Sequence, residues 1–127
     1  MTIDASVLLI DGAGFRLAQA GPLTSAVDGG LRYTTRGLMA FDSGAIAGLG
    51  SSLADVIKHA MAHVIGSGSW WEANDRYVAG GGPYEGRSAL NMRTTESKQS
   101  SATFAPVELG AFAGTRGARW NEVAHGV

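Results

Sequence analysis

The 127-residue sequence holds no cysteine. That excludes a disulfide framework, a thiolate metal cluster and a cysteine nucleophile at once. Proline is scarce, at three residues, and lysine scarcer still: Lys58 and Lys98 stand against eight arginines. Arginine in place of lysine suits bidentate pairing with carboxylates between surfaces, and a GC-rich genome gives the same ratio. Charge of one sign is also missing. Ten basic residues against 11 acidic ones leave a formal charge of -1, which argues against nucleic-acid affinity built on many phosphate contacts. No apolar run approaches the roughly 18 residues of a membrane span. The longest near the start, Val7-Leu8-Leu9-Ile10, has Asp4 as the only charged side chain before it. It lacks the basic segment of a secretory signal and reads as a strand. A soluble chain of the cytoplasm or of a virion is the expectation, without a membrane partner. The length allows one compact domain over residues 1–127, large enough to fold without covalent or metal staples.

What the sequence has in excess is glycine, 19 residues, about twice the usual share of roughly 7%. Turns and extended segments should therefore be frequent. Residues 5–20 read as a hairpin: an apolar strand to Ile10, a turn through Asp11-Gly12-Ala13-Gly14, then Phe15 to Gln19 alternating with Phe15 and Leu17 toward the core. The stretch from Gly21-Pro22 to Gly30 reads as turn, and residues 31–36 as a strand with Leu31, Tyr33 and Thr35 on one face and Arg32 and Arg36 on the other. Residues 42–50 read as loop or an ill-formed helical turn.

The strongest pattern is a helix at about 52–65. Leu53, Val56, Ile57, Ala60, Met61 and Val64 form one continuous apolar stripe. Ser52 and Asp55 fit a capping box, and Gly66 stands where a left-handed C-cap belongs. Gly66-Ser67-Gly68-Ser69 follows as a flexible connector. Two further strands are expected near 87–93 and 102–109, separated by an exposed polar loop or arm at about 93–101 that has no apolar residue. A short helical turn is expected at 118–124. The fold class is α+β: mainly antiparallel strands with one principal amphipathic helix and long Gly-rich loops.

His59 and His63, at i and i+4, share a helix face and could hold one zinc or other divalent transition metal ion. Asp55 lies a turn earlier, and His125, Glu122 and Asp75 are the available types for a third ligand. Ala60 stands where a His-Glu-x-x-His metallopeptidase carries its general base. The same residues also suit an ordinary helix flank, with Asp55 pairing with Lys58 or His59. No Gly-x-Ser-x-Gly elbow, dinucleotide fingerprint or Gly-Lys-Ser/Thr loop is present. Residues 80–87 offer backbone amides and Arg87 as an anion clasp, or equally a plain surface loop.

Trp70, Trp71, Arg76, Tyr77, Tyr84 and Arg87 gather the residue types that dominate protein interfaces, and Arg116, Arg119 and Trp120 repeat the mixture near the end. On a strand, one of the adjacent Trp residues would be buried and the other would face outward. With no complete catalytic constellation and no cofactor site, the sequence favours a non-enzymatic assembly protein. Its partners would be copies of itself or neighbouring structural proteins, as in a small capsid, connector or tail component of a phage-type virion. The alternatives are a small metal-binding domain or enzyme that uses His59 and His63, and a monomeric ligand-binding module with an aromatic pocket.

Overall fold

A computed structural model of the chain describes residues 1–12, 16–96 and 100–110. The element order is β1 (Thr2–Leu8), β2 (Ala18–Asp28), β3 (Leu31–Asp42), α1 (Ser43–Ile46), α2 (Leu53–Ile65), β4 (Pro83–Tyr84), α3 (Arg87–Glu96) and β5 (Ala105–Pro106), with a 3-10 turn at Gly50–Ser52 before α2. This is an α+β chain, and no described helix is long and apolar enough to cross a membrane. Its contacts gather into two compact units, Met1–Ser69 and Trp70–Val127.

The first unit is a three-stranded sheet of order β1-β3-β2 with α2 against it. The sheet is mixed, not purely antiparallel: β2 and β3 form an antiparallel hairpin, whereas β1 runs parallel to β3. The expected hairpin over residues 5–20 therefore does not form, because the partner of β1 is β3, some thirty residues on. Phe15 lies outside the described residues, Leu17 is exposed, and Ala18 and Ala20 pack on the core instead. The actual hairpin turn is Gly29-Gly30, whose φ values of 56° and 78° are the pair that a two-residue type I′ turn requires. The segment read as turn, from Gly21 to Asp28, is strand.

A register shift across Pro22, Thr24 and Ser25 decides which residues of β3 face the helix. Beyond it Gly37, Met39 and Phe41 point to α2, and before it Thr34 does, because an irregularity shifts the two-residue alternation by one. The expected face of Leu31, Tyr33 and Thr35 is thus not the core face. Leu31 and Tyr33 are exposed, with Leu38, on the side away from α2. Met39, Phe41, Ala60 and Val64 form the core, with Ile3, Ala18, Ala20, Ile46, Val56 and Ile57 against them.

The helix over 53–65 follows the expected stripe, with Ala60 and Val64 buried. Gly66 closes it with φ 128°, and the amides of Gly66 and Ser67 both return to the Ala62 carbonyl at 3.1 and 2.8 Å. The capping box is absent. The preceding 3-10 turn holds Ser52 at φ -74°, ψ -11°, with no side-chain cap bond, whereas a capping side chain needs extended backbone. Asp55 reaches Lys58 at 3.3 Å instead.

In the second unit Trp71, Tyr77 and Val107 are buried together and Tyr84 packs on them. The strand expected near 87–93 is the helix α3, which starts directly after Gly86 and places Ala89, Leu90, Arg93 and Thr94 half-buried along one side. Ala, Leu, Met and Arg are good helix formers, and that preference outweighs a short apparent alternation. The polar arm at 93–101 is accordingly helical up to Glu96. Of the strand expected at 102–109, residues Ala105–Pro106 pair with Pro83–Tyr84. The helical turn expected at 118–124 lies outside the described residues.

Candidate functional site

The most concentrated polar arrangement is one that sequence reasoning passed over. Asp42 ends β3, is 0% exposed, and its carboxylate gathers five backbone amides. Oδ2 accepts from Ile10 at 2.7 Å, Asp11 at 2.7 Å and Gly12 at 3.0 Å. Oδ1 accepts from Gly44 at 2.6 Å and Ala45 at 3.2 Å, capping α1. One side chain thus ties the loop after β1 to the start of α1, and Gly44 lies so close to the Gly12 backbone that a Cβ there would overlap it. Burial acts to raise the carboxyl pKa, but the amides of Asp11, Ile10, Gly44 and Gly12 outweigh it and hold the group below its ordinary value. The usable signal was the N-cap type: Asp immediately before Ser-Gly-Ala at the end of an apolar strand. With both oxygens occupied by structural amides, this carboxylate anchors the loop and does not present a base to solvent.

The histidine pair forms as the i, i+4 spacing predicts. The Nε2 atoms of His59 and His63 are 3.0 Å apart, and the rings meet edge-on with centroids 4.7 Å apart. His63 Nδ1 lies 3.1 Å from the Ser67 carbonyl oxygen. That oxygen can only accept, so Nδ1 carries the proton and donates it. In a neutral ring this leaves Nε2 with its lone pair toward His59. Asp55, the expected third member of the strip, is held by Lys58. Among the described residues no group of three or more His, Asp or Glu is placed around one ion position. His125 and Glu122 lie outside the described residues, and Asp75 belongs to the second unit.

Of the aromatic-arginine residues singled out as an interface, Trp71 and Tyr77 are buried within the second unit. Their rings meet at 5.9 Å and 72°, and Trp71 meets Tyr84 at 4.7 Å and 48°. Tyr77 and Tyr84 also face each other across an isolated bridge, and the Tyr77 hydroxyl accepts from the Gly80 amide at 3.2 Å. Trp70 and Trp71 sit in a turn, not on a strand, so strand alternation does not separate them. Trp71 is buried and Trp70 half-buried. Arg76 and Arg87 are exposed, while Arg116, Arg119 and Trp120 lie outside the described residues.

The remaining feature is the free side of β1. In the order β1-β3-β2 this strand is an edge, and Val7, Leu8 and Leu9 at its end are 59%, 45% and 73% exposed. Edge strands are usually blunted by proline, lysine, a bulge or an uncompensated charge. The other edge, β2, has Pro22 and the register shift. On β1 the only charge is Asp4, which is neutralised by Arg36 of its own sheet at 2.6 Å. Comparison with protein families, with curated proteins and with solved structures finds no match for this chain.

Proposed function

We propose that this chain is a structural building block that associates with copies of itself through the free edge of β1, in the manner of a small repeated component of a phage-type particle. The observation that carries the reading is the pattern of β1 itself. About Ala5 the strand is nearly palindromic: Ile3 and Val7 are apolar and on the α2 side, and Asp4 and Ser6 are polar and on the other. An antiparallel pairing of two β1 strands on a two-fold axis at Ala5 sets Ile3 opposite Val7 and Asp4 opposite Ser6. Thr2 stands opposite Leu8, no like charges face each other, and the two sheets merge into six strands.

The exposed Leu31, Tyr33 and Leu38, on the face of the sheet away from α2, supply a second apolar surface. A particle larger than a dimer needs such a second contact.

Ala5 is exposed, so charging it tests the contact without disturbing the core. The natural chain is expected to elute at a multiple of the chain mass in light scattering after size exclusion. Ala5→Lys and Ala5→Glu, each placing like charges face to face across the axis, are each expected to be monomeric. An equimolar mixture of the two should regain the paired mass. A natural chain that is monomeric at every concentration, or two variants that keep its mass, would overturn the reading. Electron microscopy of any high-mass fraction then distinguishes a closed ring, tube or shell from a simple pair.

A further inference from the structure

We infer that His59 and His63 form a two-imidazole chelate for one divalent transition metal ion of the copper, nickel or zinc type, a site independent of the β1 edge. Two nitrogen ligands each about 2.0–2.1 Å from one ion stand roughly 2.9–3.4 Å apart at the angles of octahedral or tetrahedral coordination. The Nε2 atoms of this pair are already 3.0 Å apart. The helix sets that spacing, because residues four apart lie one above the other on its surface.

The second observation is the Ser67 carbonyl. By accepting the Nδ1 proton of His63 at 3.1 Å, it fixes the tautomer whose Nε2 lone pair points toward His59 and holds the ring in orientation, the role that backbone carbonyls play behind metal-bound imidazoles. Ser67 is itself held in place, because its amide bonds the Ala62 carbonyl. Nearby, the Ser69 hydroxyl donates to the His63 carbonyl. The helix C-cap therefore holds one ligand ready, while His59, exposed on the outer turn, donates its Nε2 proton to His63 in the free pair and must shift that proton to Nδ1, with a side-chain rotation, to bring its own Nε2 lone pair to the same point.

Neutral imidazole pairs select borderline cations over calcium or magnesium, which take oxygen ligands. Asp55 is engaged with Lys58 and no third His, Asp or Glu joins the pair among the described residues, which leaves the remaining positions open to water. Such an open site binds more weakly than a closed four-ligand one.

The test is titration of the full chain with Cu²⁺, Ni²⁺, Zn²⁺ and Mg²⁺ chlorides in a non-coordinating buffer, read by calorimetry and by the shift in Tm. One ion per chain is expected, with Cu²⁺ tightest, Ni²⁺ and Zn²⁺ weaker and Mg²⁺ silent. His59→Gln is expected to weaken binding about tenfold or more and to abolish the metal-dependent rise in Tm, with its metal-free Tm unchanged. His63→Gln should likewise weaken binding and abolish the metal-dependent rise, with a lower metal-free Tm because its bond to the Ser67 carbonyl is lost. Absence of saturable binding, binding that survives His59→Gln, or binding that is lost in His125→Gln while His59→Gln retains it, would each overturn the assignment. Because the readout is heat and Tm and not native mass, failure here leaves the β1 pairing standing, and the converse also holds.

Discussion

The hydroxyl of Thr34 donates to the main-chain carbonyl of Val64 at 2.6 Å. Thr34 lies mid-hairpin on β3 and Val64 in the last turn of α2, and both are buried. The bond satisfies a helix C-terminal carbonyl that has no partner within its own helix, and it fixes the end of α2 over the sheet. Thr34→Val keeps the shape and removes the donor, stranding a buried acceptor. A loss of about 1–3 kcal/mol in urea unfolding is expected. A change within about 0.5 kcal/mol, the range of a neutral surface substitution, would show that the carbonyl finds another donor.

One turn of strand away, Gly37 lies directly under the same valine. A Cβ built there would overlap Val64 Cγ1 and approach the Gly21 carbonyl oxygen at 3.2 Å. Gly37→Ala is expected to destabilise by about 1–3 kcal/mol through overpacking. Val64→Ala, which opens a cavity, should cost about 2 kcal/mol. Because the two changes act on one small volume, their combination should cost less than the sum, and a double-mutant cycle in denaturant measures that coupling. Strict additivity would mean that the strand moves away from the helix instead.

The local signals were legible, and the pairings between distant segments were not. The stripe from Leu53 to Val64 and the Gly66 stop sit within one segment, so the sequence shows α2 nearly to the residue. Gly29-Gly30 carried a hairpin signal too, but Gly21-Pro22 drew the turn too early, and the two register shifts between Pro22 and Ser25 then sent Thr34 inward in place of Tyr33. Parallel pairing of β1 with β3 leaves no local trace at all, since the partner's position depends on the whole chain between. The histidine pair was visible because a helix fixes i, i+4 geometry, whereas the Ser67 carbonyl behind it was hidden in backbone conformation. Asp42 is half legible: its residue type before Ser-Gly-Ala announces the N-cap of α1, but the amides of residues 10–12 that also bond it are main-chain groups that no residue type announces.

That carboxylate makes stability depend on acid. Its folded pKa lies below the unfolded value because the amides of residues 10–12 and 44–45 bond only its charged form strongly. The contribution is therefore complete above the unfolded carboxyl value of about 3.9. It is lost progressively as pH falls from there through the lower folded value. Asp42→Asn replaces one acceptor oxygen with a donor that faces amides. It is expected to lower Tm strongly at pH 7 and to flatten the fall in Tm between about pH 4 and pH 2. An Asn variant with the parent's acid profile would assign the acid sensitivity to other carboxylates.

The two adjacent tryptophans should separate cleanly under substitution, because the second unit uses them differently. Trp71 is 7% exposed and meets both Tyr77 and Tyr84 ring to ring, so Trp71→Ala removes the centre of a cluster whose one aliphatic buried member among the described residues is Val107. A loss of about 3–5 kcal/mol is expected, which is enough to unfold so small a core. Trp70 is half-buried, and Trp70→Ala should cost less than half as much. Emission from the Trp70→Ala protein, to which Trp71 then contributes as a buried indole, should lie to the blue of emission from Trp71→Ala. Equal losses from the two substitutions would instead place Trp70 in the same core, and the turn at residues 70–75 would then owe its shape to both rings.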